Sequence, residues 1–203
     1  GVDEVKDLIV KLHYDIYDHI PVIRKWMEIF NNGDTPQNLD SFKLERLFFS
    51  EPESPVDGDP NKFLLPNIHI ESDFHAKSAF TERDTDCVEH WITDPEYTSQ
   101  TNYPLQTRCT MEATNELGPD FSITKEQPFT SYKVYEMPMD SYDRERKGLF
   151  KRRMQLTIAP WTSENPIFMH LTSTNPDVVK RAVDQCAECG YEMVILSFGS
   201  GLN

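Results

Sequence analysis

His69, Glu71, Asp73 and His75 recur at every second position, an arrangement with the chemistry of a ligand set. That spacing puts two imidazoles and two carboxylates on one face of an extended strand, with Ile68, Ile70 and Phe74 on the other. Such a face could take up a divalent cation or the hydroxyls of a sugar. Side chains on one flat strand diverge, however, so a closed metal shell needs a neighbouring strand, and a solvated polar face is the plainer expectation. No cofactor is implied beyond that cation.

A second candidate group lies near the C-terminus, where Thr172-Ser173-Thr174 and Ser197-Phe198-Gly199-Ser200-Gly201 each follow a short apolar run. Loops that leave parallel strands carry ligands in α/β folds, because strand ends open onto helix N-termini and free backbone groups. Hydroxyls and bare amides at Ser173, Thr174, Ser197, Gly199 and Ser200 suit a polyhydroxylated ligand, although the same residue types also cap helices and make turns. Gly199-x-Gly201 is not followed by the third glycine of a dinucleotide fingerprint. Trp26, Trp91 and Trp161 are candidate stacking platforms, with Trp161 placed among the substrate-binding residues; core packing is the alternative for all three. Cys186 and Cys189 form a C-x-x-C pair, but in the last turns of an expected helix, away from the N-terminal dipole that activates a redox dithiol and without two further zinc ligands. Two acids flanking a glycosidic bond would stand about 5–9 Å apart, and sequence cannot choose them from 34 acidic residues. No G-x-S-x-G elbow is present.

The elements that position these residues are mostly strands. Leu8, Val10, Leu12, Tyr14 and Ile16 alternate with Lys11, His13 and Asp15, predicting a half-buried strand with the apolar set inside. After the break at Pro21, Val22 to Phe30 resumes the alternation, with Arg24, Trp26 and Glu28 against Ile23, Met27 and Ile29. Asn31-Asn32-Gly33-Asp34 predicts a turn and Leu39 to Phe49 the returning strand. Glu51 to Pro60 reads as a surface loop. Further strands are expected at Asn67 to Phe74, Val88 to Thr93, Leu105 to Glu112, Tyr132 to Met137 and Met154 to Ile158, and the basic stretch Arg144 to Arg153 reads as a solvated hairpin end or a set of internal ion pairs. Beyond Trp161 the period changes: a strand at Ile167 to Leu171, a helix capped by Asn175 with Pro176 at its first position and Gly190 at its end, then the apolar run Met193 to Leu196, suited to a parallel strand covered on both faces. The expected fold is mainly β: an antiparallel β-sandwich over residues 1–160, followed over 161–203 by a β-α-β unit. A lone unit of this kind has to dock on the sandwich, pair with another copy of itself, or be the opening of a barrel in a larger protein.

With 20 basic and 34 acidic residues the net charge is −14, which repels phosphate backbones and anionic lipid, so neither nucleic acid nor a membrane surface is an expected partner. No apolar run is long enough to span a bilayer and no basic-then-apolar leader opens the chain. Localisation, extracytoplasmic or cytoplasmic, is left open.

Tyr17-Asp18-His19-Ile20-Pro21-Val22-Ile23-Arg24-Lys25-Trp26, followed by Asn31-Asn32-Gly33, resembles the sandwich domain of α-galactosidase-like glycoside hydrolases, where a YD-x-x-P-x-x-x-K-W strand leads to an N-x-G turn. Asp140 to Arg146 and Ala159 to Pro166 resemble the join between that domain and the catalytic (β/α)8 barrel, and Gly190 to Leu196 resembles the barrel's second strand. The resemblance implies part of a galactose-mutarotase-like supersandwich, then the start of a TIM barrel, a carbohydrate ligand, and a retaining mechanism whose aspartate nucleophile and acid/base lie on later strands outside this chain. The family's second strand often ends in paired aspartates, whereas Ser197-Phe198-Gly199 stands here, which puts galactoside specificity in doubt. The competing expectation is a non-catalytic carbohydrate-binding or interdomain module.

Overall fold

A computed structural model describes residues 5–52, 56–74, 76–77, 85–86, 88–115, 118–161 and 166–196. In chain order the strands are β1 (Leu8–Ile16), β2 (Ile23–Asn31), β3 (Gln37–Leu39), β4 (Lys43–Phe48), β5 (Ile68–Ser72), β6 (Ala76–Lys77), β7 (Thr85–Asp86), β8 (Glu89–Thr93), β9 (Arg108–Thr114), β10 (Phe121–Ile123), β11 (Phe129–Thr130) and β12 (Val134–Pro138). Helix α1 (Arg144–Ile158), strand β13 (Phe168–Leu171), helix α2 (Pro176–Cys189) and strand β14 (Met193–Leu196) follow, and a 3-10 turn, Pro60–Lys62, lies between β4 and β5. The chain divides into two compact units, Gly1–Lys147 and Gly148–Asn203.

The first unit is built from antiparallel sheets, as the alternating patterns predict. β1 and β2 form a hairpin in continuous register from Leu8↔Asn31 to Ile16↔Ile23. Its connection carries His19 at φ 65, and Tyr17 N–H donates to the Val22 carbonyl at 3.1 Å to close it. β12 joins the other side of β2, β5 pairs with β12, and β11 extends the sheet along β2. The expected return strand does not pair back onto β2. The chain crosses instead: β3 pairs with β10, and β4 enters a separate sheet of order β4-β9-β8.

These two larger sheets share a core. Val134 and Ile70 of the first meet Met111, Ala113, Leu47 and Trp91 of the second, while Met27 and Ile29 pack with Ile123, Phe129, Leu39 and Leu44. A register shift between Lys43 and Glu45 lets Leu44 reach this interior as well as Leu47.

The burial of β1 reverses the sequence expectation. His13 and Asp15 are half-buried, whereas Val10, Leu12, Tyr14 and Ile16 are exposed. These apolar residues do share the core-facing side of the sheet, since Val10 is opposite Ile29 and Leu12 opposite Met27. β1 is an edge strand, however, and of its apolar set only Leu8 packs against a core cluster.

Met154 to Ile158 is not a strand, nor is Arg144 to Arg153 a hairpin end; both belong to α1, although an ion pair does form there, Arg146 Nε donating to Asp140 Oδ1 at 2.8 Å. Asp143 starts the helix, its Oδ1 accepting from Arg146 N–H at 2.8 Å, and the Arg, Lys, Leu, Met and Gln that follow are strong helix formers. The division between the two compact units falls within this helix, between Lys147 and Gly148.

The second unit contains the strand, helix and strand expected from sequence. β13 and β14 are parallel, Phe168 opposite Met193 through Leu171 opposite Leu196. Asn175 caps α2 by accepting from Asp177 N–H at 2.9 Å, Pro176 occupies the first turn, and Gly190 ends the helix at φ 77. α2 packs on one side of the pair, with Cys186 Sγ 3.8 Å from Met169 Sδ. Met193 and Leu196 are exposed among the described residues, so β14 is not covered on both faces. No helix is long and apolar enough to cross a membrane among the described residues.

Candidate functional site: a lysine between two buried carboxylates

The sequence-derived sites assemble only in part. His69 and Glu71 lie on β5 and hold each other, Nε2 to Oε1 at 2.5 Å. Asp73 is engaged otherwise: its Oδ1 accepts from Lys133 N–H at 2.7 Å, and its own N–H donates to the Lys133 carbonyl at 3.1 Å, pinning the end of β5 to the segment before β12. His75 lies outside the described residues. No group of three or more His, Cys, Asp or Glu that could hold a metal ion occurs among the described residues.

At the end of β13, Ser173 Oγ accepts from Asn175 N–H at 3.2 Å and so takes part in the turn that caps α2, with Thr174 exposed beside it. Ser197, Gly199 and Ser200 lie outside the described residues. The three tryptophans differ in access. Trp91 packs into the core against Phe49. Trp26 stacks on His13 with centroids 4.7 Å apart and lies under the Arg24 guanidinium at 5.2 Å. Trp161 is 77 % exposed and keeps its ring available. Cys186 is buried and Cys189 exposed, both free thiols near the C-terminal end of α2; Cys87 lies outside the described residues.

The densest chemistry is elsewhere, between the two sheets of the first unit. Lys25 on β2 donates from Nζ to Glu45 Oε2 on β4 and to Glu136 Oε1 on β12, both at 2.7 Å. The side chains of Lys25, Glu45 and Glu136 are only 15 %, 11 % and 6 % exposed. Strand alternation places them: Lys25 shares the inward face of β2 with Ile23, Met27 and Ile29, and it is opposite Val134, one residue before Tyr135 and two before Glu136 on β12.

One ammonium cannot neutralise two carboxylates. Burial, then a hydrogen bond shared with the Glu45 carboxyl, pushes Glu136 up to about 7 against the lowering pull of Lys25. Burial by itself would lower Lys25, but its hydrogen bonds to Glu136 and Glu45 outweigh that and raise it. Near neutral pH the Glu136 carboxyl therefore exchanges its proton. Tyr132 adjoins the cluster; burial, followed by the nearby charges of Glu89 and Glu45, raises its phenol.

Chemically this is a pair of buried carboxyls bridged by one ammonium, with Glu45 Oε1 buried and without a hydrogen-bond partner. The two acids are within reach of a single Nζ, and they face the core rather than a cleft. Open cavities of about 260 and 220 Å³ occur on either side of the Asn31–Asp34 turn, lined by Asp7, Gly33 and Gln37 on one side and by Pro36, Thr124 and Lys125 on the other. Asn31, between them, is spent on structure: its Nδ2 donates to the Thr35 and Ile123 carbonyls and its Oδ1 accepts from Gly33 N–H.

Comparison with protein-family models, curated proteins and solved structures returns no match to this chain.

Proposed function

We propose that this chain is the accessory β-domain, together with the opening strand-helix-strand unit of the catalytic barrel, of a carbohydrate-active enzyme resembling retaining α-galactosidase-like glycoside hydrolases, with the catalytic acids carried by barrel strands outside these residues. The observation that carries the proposal is the order of architectures: antiparallel sheets sharing a core, then helix α1, then the parallel β13-α2-β14 unit. That order supports the motif resemblance at Tyr17 to Trp26 and at Gly190 to Leu196. Further parallel strands beside β13 and β14 would cover Phe168 and Met193, which are exposed among the described residues.

The chain's own close carboxylate pair argues against hydrolysis by these residues. Glu45 and Glu136 are tied to Lys25 in the interior and do not flank a space that a sugar ring could enter. The expected role of this portion is to line a sugar subsite through Ser173 and Thr174 at the end of β13 and through Trp161, whose exposed ring can stack on the C–H face of a sugar. The purified 203-residue chain should therefore leave aryl α-galactosides intact. Turnover by this chain that is abolished by Glu136→Gln would overturn the proposal.

The second reading is a non-catalytic carbohydrate-binding module, favoured by the exposure of Trp161. Titration with galacto-oligosaccharides separates the two. Fluorescence quenching that is lost in Trp161→Ala, in the isolated chain and at sub-millimolar sugar, favours an autonomous binding module; quenching that appears only with the adjoining barrel present favours the enzyme portion.

A further inference from the structure

β1 is an edge strand of nine residues that is neither short, bulged nor broken by proline, and the charges it carries, Lys11 and Asp15, lie on the face away from the core. Among the described residues it pairs only with β2, and its register runs without a bulge from Leu8 to Ile16. It contains no proline. Four consecutive members of its core-facing side, Val10, Leu12, Tyr14 and Ile16, are 55 %, 55 %, 60 % and 79 % exposed. Among the described residues the core face of the sheet thus continues one strand beyond the layer that covers it, and the outer backbone edge of β1 has no strand paired to it.

We infer that β1 is a self-pairing edge, at which a second copy of this chain adds its own β1 antiparallel across a two-fold axis. The sequence of the strand is what selects a second copy. Antiparallel pairing about His13 sets Val10 against Ile16 and Leu12 against Tyr14 in both directions, so the exposed apolar residues cover one another. On the opposite face the same register sets Lys11 against Asp15 twice, two opposite-charge pairs, and His13 against His13 on the axis. Centring the pairing on Leu12 instead would put Lys11 against His13 and Asp15 against Ile9, leaving no directly opposed ion pair. Apolar match and charge match therefore coincide in one register, which is the self-complementarity that a closed two-fold interface requires. Pairing through one strand falls short of the roughly 1,200 Å² at which stable interfaces begin, so the dimer is a weak one, with a dissociation constant in the micromolar range.

Sedimentation velocity of the purified chain from low-micromolar to near-millimolar concentration tests this. A reversible monomer–dimer equilibrium is expected, and Leu12→Lys, a change at an exposed position that leaves the circular dichroism spectrum of the monomer intact, should weaken it at least tenfold. In a Cys189→Ser background, His13→Cys should form a covalent dimer on mild oxidation, because position 13 faces itself on the axis, whereas Ile9→Cys should not. A monomer at every concentration overturns the inference, as does a dimer that Leu12→Lys leaves intact, which would place the contact on another surface such as the β13–β14 sheet. Equal cross-linking at positions 9 and 13 overturns the register.

Discussion

Arg24 and Lys25 are adjacent on one strand, and each makes ion pairs, but the strand's pleat sends them to opposite sides of the sheet. Arg24 faces outward, where its Nε donates to Asp15 Oδ2 at 2.9 Å and its guanidinium lies over the rings of Tyr17 and Trp26; it and its acid are partly solvated. Lys25 faces inward between two carboxylates that water barely reaches. The same chemistry therefore has different consequences. Outside, the pair is screened and replaceable. Inside, each charge depends on the others, because any one of them left alone has lost its hydration without compensation.

The largest expected effect comes from breaking the inner side of this comparison. Lys25→Met leaves two buried carboxyls without a cation and should lower unfolding free energy at neutral pH by about 3–5 kcal/mol, measured by urea denaturation. The loss should shrink as pH falls below about 7, where the Glu136 carboxyl takes up its proton and needs no counter-ion. Next comes the pH dependence of the intact protein. The Glu136 carboxyl is raised from 4.5 to about 7, so the folded chain holds a proton that the unfolded chain releases in that interval. Its contribution is complete below the lower value and is lost as pH rises through the upper one, so denaturation midpoints should fall across that window. Glu136→Gln should flatten the slope; an unchanged slope would show that another group titrates there. The smallest effect belongs to the outer pair. Arg24→Ala should cost no more than about 1 kcal/mol and should respond to added salt. A loss as large as that of Lys25→Met would erase the distinction between the two faces.

How far the sequence could be read follows the same inside–outside division. The alternation of β2, the capped helix α2 and the parallel pair β13–β14 were legible because each depends on neighbours close in the chain. The signal for the buried cluster was also present: period two puts Lys25 among Ile23, Met27 and Ile29, and a cation on an apolar face has to find an acid. Its partners were not legible, because Glu45 and Glu136 lie 20 and 111 residues away. β1 was misread for a different reason. Alternation identifies which face is apolar, but not whether a second layer lies over it, and at an edge strand none does among the described residues. α1 is hard to read because its apolar stripe is thin: Phe150, Met154 and Ile158 recur at helical spacing and are its buried or half-buried residues in the second half, while Leu149 and Leu156 fall off that line and are exposed.

The separation of Lys25 from Glu136 also bears on how the unit forms. β2 can find β1 quickly through a short hairpin, but β12 closes the sheet from the far end of the unit, and Lys25 has no complete set of partners until it arrives. Until then the ammonium stays in water and opposes desolvation of the β2 surface around it. The late step, bringing together strands more than a hundred residues apart, carries the entropy of a long loop before any of the cluster's bonds are made. Folding of this unit should accordingly run in the slow millisecond-to-second regime of β proteins with distant pairings, with the three-residue cluster acting as a latch that closes last.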